Sequence, residues 1–178
     1  MESIVLDEIT KNTIKNAACD QIATSVLHDL HAEQVISDIK KGFRDIIDQY
    51  LKTAQAMMIE MGNALDSIDE TADGDIMELI KQICIPYRQK YIELAATTLI
   101  GLSTQMKKVQ DIFNLSIEQP DRYAELILCF KHSMDTFVKS RDDIKHTIAM
   151  IMMVEDTTFE DEVTAYITQM EGSNPEQS

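Results

Sequence analysis

The chain has no tryptophan, five glycines and three prolines in 178 residues. So few helix breakers, beside abundant Ala, Leu, Ile, Met, Lys, Glu and Gln, point to a helical protein. The glycines (42, 62, 74, 101 and 172) lie no closer than twelve residues apart. This spacing excludes the clustered glycines of dinucleotide and phosphate-binding loops. Three cysteines, Cys19, Cys84 and Cys129, are odd in number and widely separated. They read as free thiols of a reducing compartment rather than a disulfide framework. The longest wholly apolar run, Ile148 to Val154, falls far short of the roughly 20 residues that span a bilayer. MESIVLDEI has no basic stretch ahead of its apolar residues, so it does not read as a secretory signal. A cytoplasmic protein without membrane insertion is expected.

Charge is abundant, and mostly of one sign. The net charge is −15. Residues 60–78 carry seven acids and residues 155–178 seven more, with no lysine or arginine in either stretch. The remaining chain holds 17 acids against 16 bases and is nearly neutral. Both clusters would repel phosphate backbones and anionic lipid, so nucleic acid is not an expected partner. A basic segment is the natural complement.

Apolar periodicity is helical throughout. Ile127, Phe130, Met134, Phe137, Arg141, Ile144, Ile148 and Ile151 recur at alternating steps of three and four, a heptad seam. Pro120 suits the first turn of this helix, which stops near Glu155. Thr157 with Glu160, or Thr158 with Asp161, then offers a capping box for a short last helix ending before Gly172. An earlier seam runs Ile36, Ile39, Phe43, Ile46, Tyr50, Thr53, Met57, Met61, Leu65 and Ile68, giving a helix over about 33–68. Between them Tyr91, Leu94, Thr98, Leu102, Met106, Val109 and Phe113 mark a third. Pro86 either kinks that helix or divides it. Val5, Ile9, Ala18, Ile22, Val26 and Leu30 suit one first helix or two shorter ones. The expected fold is all-α, an elongated antiparallel up-and-down bundle of four to five helices with coiled-coil-like seams. Residues 1–171 would form one domain and 172–178 a disordered tail. If the helices run up, down and up, both acidic clusters share one pole.

Chemistry is sparse. DETADGDIMELI, residues 69–80, resembles a calcium loop, with Asp69, Thr71, Asp73 and Asp75 as candidate ligands. Its twelfth position is Ile80, however, where such a loop needs a bidentate Glu. A turn with Asp75 capping the next helix, and Glu78 at the reciprocal position, explains the same residues. Histidines preceded at the third residue by glutamate, as di-iron bundles require, do not occur. No nucleophile elbow is found, so no catalytic residue, cofactor or metal is assigned. Six of the eleven methionines cluster as Met57, Met58, Met61 and Met150, Met152, Met153. Adjacent methionines about 100° apart cannot share one narrow stripe, so part of this soft surface should face outward. Met150 and Met153 are expected in the core and Met152 at the surface.

The sequence thus reads as a non-catalytic protein–protein interaction module: an adaptor, scaffold or small acidic chaperone, with homodimerisation through the same surface as an option. Its acidic, Met-rich end would accept a basic amphipathic segment through Met57, Met58, Met61, Met152, Asp69, Glu70, Asp73, Asp75, Glu155 and Asp156. The alternative is a ligand- or cation-sensing bundle, with Thr53, Thr98 and Arg141 as polar contacts between helices. The calcium question has a direct test. Millimolar calcium should perturb amide shifts over 69–75 no more than those of Asp142 and Asp143; site-specific saturation at micromolar calcium would instead establish a cation site.

Overall fold

In the computed structural model, backbone is described for residues 8–68, 75–114 and 120–173, and side chains for 33–68, 75–111 and 121–173. The described residues form four α-helices and no strand: α1 (Glu8–Asp66), α2 (Ile76–Asn114), α3 (Pro120–Met152) and α4 (Phe159–Gly172). The chain divides into two compact units, Met1–Asp38 and Ile39–Ser178. The first contains the N-terminal part of α1, where Gln34 donates to Asp38 one turn on, at 2.8 Å. The second is an all-α bundle.

Two boundaries differ from expectation. The separate first helix and the helix from residue 33 are one continuous α1, because no glycine or proline interrupts residues 8–41. Pro86 lies inside α2 and divides nothing. It removes one backbone bond, but α2 continues through it and packs against α3 and α4. α4 runs through Gly172 and is capped by Ser173, so the expected tail begins later than residue 172; residues 174–178 and the glycine turn at residue 74 lie outside the described residues.

Side-chain register gives the topology. On α1 and α2, Gly42 lies beside Gln105, Ile46 beside Gly101, and Tyr50 beside Tyr91. One number rises as the other falls, so the pair is antiparallel. On α1 and α3, Lys40 pairs with Glu125, Phe43 with Phe130 (ring centroids 5.7 Å apart) and Tyr50 with Phe137 (5.0 Å, edge-on). These numbers rise together, so that pair is parallel. The up-down-up order follows. α4 then returns against α2, and the buried Ala95 and Ala96 leave room for close approach by neighbouring helices.

Burial follows helical period but spreads beyond a single seam. In the bundle, α1 buries Ile39, Phe43, Ile47, Tyr50, Ala54, Met57 and Met61, while the expected Ile46 and Thr53 are half-buried. A helix facing two neighbours needs a wider apolar stripe than a two-stranded seam. At its centre the Tyr50 and Tyr91 hydroxyls meet at 3.5 Å. Burial raises both phenols above their ordinary value. The folded pair therefore keeps its protons longer than the unfolded chain, and its stability is lost as pH rises past the ordinary tyrosine range.

Two substitutions probe this packing. Gly62 sits within α1 with nothing inside 4 Å of an added Cβ, so Gly62→Ala should stabilise by about 0.5–1 kcal/mol. Phe137 is fully buried, and Phe137→Ala should cost about 3–5 kcal/mol. Urea denaturation followed by circular dichroism measures both.

Candidate functional site

The end of α3 is built from the run AMIMMV. The helix stops in a Schellman arrangement: the Met153 N–H donates to the Met150 carbonyl, and the Val154 N–H to the Ala149 carbonyl, each at 3.1 Å. Met153 occupies the left-handed position of this motif, with φ 52°, where glycine is favoured. Its side chain is 77% exposed; Met150 is 61% exposed, and Val154 projects into solvent beside them.

Beyond this stop, the turn leads into α4, which is held by an arginine of α2. Arg88 Nε and Nη2 donate to the two Asp156 oxygens at 2.9 and 2.7 Å. Its Nη1 donates to Glu162, and Nη2 also reaches the Thr158 hydroxyl at 3.2 Å. Asp156 has 6% of its side chain exposed and Arg88 18%. Phe159 is buried between two cations, with Arg88 Cζ 6.0 Å and Lys145 Nζ 5.7 Å from its ring centroid. Asp156 also accepts the Phe159 backbone N–H. The expected threonine capping box is not the device used. Thr158 occupies the N-cap without a side-chain capping bond, because its hydroxyl is engaged with Arg88 and Glu162.

A groove of about 820 Å³ opens beside this turn, with Ala149, Met150, Met153 and Val154 forming its apolar side. Arg141 bonds its α3 neighbour Asp142 at 2.9 Å and crosses to Glu160 of α4 at 3.0 Å, and Lys145 reaches Glu160 at 3.7 Å. From Glu155 to Glu162 there are five acids and no base. Arg88, Arg141 and Lys145 answer three of them, while Glu155 and Asp161 make no ion pair among the described residues. The groove is soft along one side and keeps a residual negative charge.

Several expected positions are corrected. Met152 is 9% exposed and buried, whereas Met150 and Met153 face outward, the reverse of the expectation. The buried face of α3 takes in Met152, with Ile151 half-buried beside it, because this end borders the end of α1 and the start of α2. Met57 and Met61 belong to the core, and Met58 is half-buried. Asp156 is drawn inward by Arg88 and is not a free rim carboxylate; Glu155 is exposed. Asp75 caps α2, accepting the Met77 N–H at 3.0 Å. Glu78 takes a bond from Gln82 instead of reaching back to complete the box. Asp69, Glu70, Thr71 and Asp73 lie outside the described residues. Leu65, Ile76, Ile80 and Ile151 line one hollow of about 360 Å³, so the end of α1, the start of α2 and the end of α3 share a pole.

The polar seam residues are satisfied internally. Thr98 donates to the Leu94 carbonyl, Thr53 accepts from Gln49, and Arg141 holds two carboxylates. Among the described residues no group of three or more His, Cys, Asp or Glu could hold a metal ion, and no helix is long and apolar enough to cross a membrane. No protein-family model, curated protein or solved structure matches this chain. The functional reading therefore rests on the geometry of the site.

Arg88 had no sequence signal, since its partners lie 68 and 74 residues away. Burial pushes the Asp156 carboxyl upward, but the Arg88 hydrogen bonds and charge outweigh it and hold the group below its ordinary range. Its contribution is present above the ordinary carboxylate value and is lost as pH falls through the depressed one. Asp156→Asn should cost about 3 kcal/mol at pH 7, because Arg88 loses its charged partner. It should also flatten the loss of stability between pH 4 and 2. Urea denaturation at stepped pH checks both effects.

Proposed function

We propose that this protein is a non-catalytic protein–protein interaction module, acting as an adaptor or small acidic chaperone. Its docking site is the groove at the end of α3, and its partner is a basic amphipathic segment. The observation that carries this reading is Met153. A long apolar side chain occupies a left-handed backbone position that glycine would fill with less strain, and it stands almost wholly in solvent. Such a residue is poorly explained by folding alone. With Met150 and Val154 it forms a flexible apolar contact surface, the kind that adapts to varied helical partners.

Charge complementarity supports the choice of occupant. The carboxylates of the turn and of α4 outnumber the cations that face them, and the whole chain carries −15. A segment with lysines or arginines along one face and apolar residues along the other would lay its apolar face on the methionines. Its cations would meet Glu155 and its neighbours at the rim, speeding encounter more than adding affinity. An acidic peptide would meet repulsion instead.

Met153→Gly separates the two roles. It should stabilise the fold by about 0.5–1 kcal/mol through relief of the left-handed strain. It should also weaken binding of a Lys/Leu amphipathic peptide severalfold, measured by isothermal titration calorimetry with a Glu/Leu peptide as control. Met150→Ser should weaken the same peptide with little change in stability. Unchanged affinity in both variants, or equal binding of the two peptides, would overturn the reading. Concentration-dependent self-association abolished by the same substitutions would assign the surface to a second copy of the chain.

A further inference from the structure

The turn between α3 and α4 reads MVEDTT, residues 153–158, and from Asp121 to Glu171 the chain contains no glycine or proline. Val154, Thr157 and Thr158 are weak helix formers, so they mark a stop without enforcing it. The left-handed position that ends α3 falls to Met153, where glycine is the usual choice. α4 is lightly anchored, since only Phe159 and Val163 of its 14 residues are buried. Ion pairs add to this hold: Glu162 with Arg88, and Glu160 with Arg141 and Lys145.

The apolar period runs through the turn without a change of phase. On one continuous helix, Phe137, Ile148 and Met152 of α3 and Phe159 and Val163 of α4 would lie within about 80° of one another. Tyr166 and Met170 would extend the same stripe. Two helices joined by a reversing turn have no need of a shared phase across it. The segment thus suits two forms: the hairpin, and a single helix from Pro120 to Gly172, shorter than the 59-residue α1. A lone chain in the second form would expose Phe159 and Val163 and leave Arg88 without Glu162. Another copy in that form offers a vacated seat of the same shape and charge.

We propose that this chain forms a two-fold dimer by exchanging α4. In each copy α3 and α4 join into one helix, and α4 seats on α2 of the other copy. Glu162 then meets Arg88 of the other copy, Glu160 meets its Arg141 and Lys145, and Phe159 lies between Arg88 and Lys145 as before. Each copy gives and receives one helix, so the contact closes at two. A short, strained hinge favours such exchange, because the helical form releases the strain at Met153. Asp156 lies in the hinge, and its bonds to Arg88 hold the hairpin form. Repulsion between two chains of net charge −15 also opposes exchange, and salt screens it, whereas the exchanged ion pairs are common to both forms. This dimer does not depend on the peptide-binding reading; it removes the turn that shapes that groove, so the two would compete.

The test refolds mixed isotope-labelled and unlabelled full-length chains from urea at high protein concentration and high salt, because α4 must leave its own seat before it exchanges. Sedimentation separates monomer from dimer. In the dimer, isotope-filtered NOEs should connect the Phe159 ring of one copy to Arg88 and Lys145 of the other, and carbon shifts over 153–158 should become helical. Met153→Gly should lower the dimerisation constant at least about tenfold, because glycine suits the turn and disfavours the helix in both copies. Thr157→Ala should raise it about fivefold through the opposite preference. Met150→Ser should leave it unchanged, since Met150 lies off the exchanged stripe. Strict monomers under these conditions, a dimer in which Phe159 contacts only its own chain, insensitivity to Met153→Gly, or a dimer lost with Met150→Ser would overturn the proposal.

Discussion

Arg88 holds α4 to the bundle. It sits on α2 and grips two carboxylates, one in the turn before α4 and one in its first turns. With both Asp156 oxygens and Glu162 engaged, its guanidinium is largely removed from water and its charge is fully answered. A buried cation in that position would be costly if either partner were missing. Phe159 fills the space between this cation and Lys145, so the apolar and ionic parts of the clasp depend on one another. The path of α4 follows from the clasp. That path in turn forms one side of the groove where Met150, Met153 and Val154 are displayed.

The bundle beneath is held differently. α1 meets α2 and α3 mainly through large side chains, Phe43, Tyr50, Phe130 and Phe137 among them, while α2 lies close to α3 and α4 at the level of the backbone. The aromatic residues hold α1 in parallel register with α3, and this register leaves a cavity beside Phe43. A tighter seam of small residues would have closed it. The groove arises where α3 stops and α4 is clasped back against α2.

At the end of α3 local preference is set aside. Met153 takes a backbone conformation that glycine favours. Elsewhere threonines bond back to the preceding turn, Asp75 caps α2, and Lys41 pairs with Asp45 one turn on.

The helical segments and the up-down-up order that brings the end of α1, the start of α2 and the end of α3 to one pole were legible in the sequence, because few breakers and a steady 3.6-residue period leave a chain little else to form. The start of α3 at Pro120 and the cap at Asp75 were legible for the same local reasons. The facing of the methionines was not. A seam drawn at heptad spacing carries Ile148 to Ile151 and leaves Met152 outside, but contact with more than one neighbour widens the buried stripe to take in Met152, leaving Met150 and Met153 in solvent. Asp156 reads as a rim charge until Arg88, 68 residues away, draws it inward. Local sequence determined which segments are helical and where they stop. Only the tertiary structure decided which side of each helix remained exposed, because that depends on how many neighbours a helix has and where they lie.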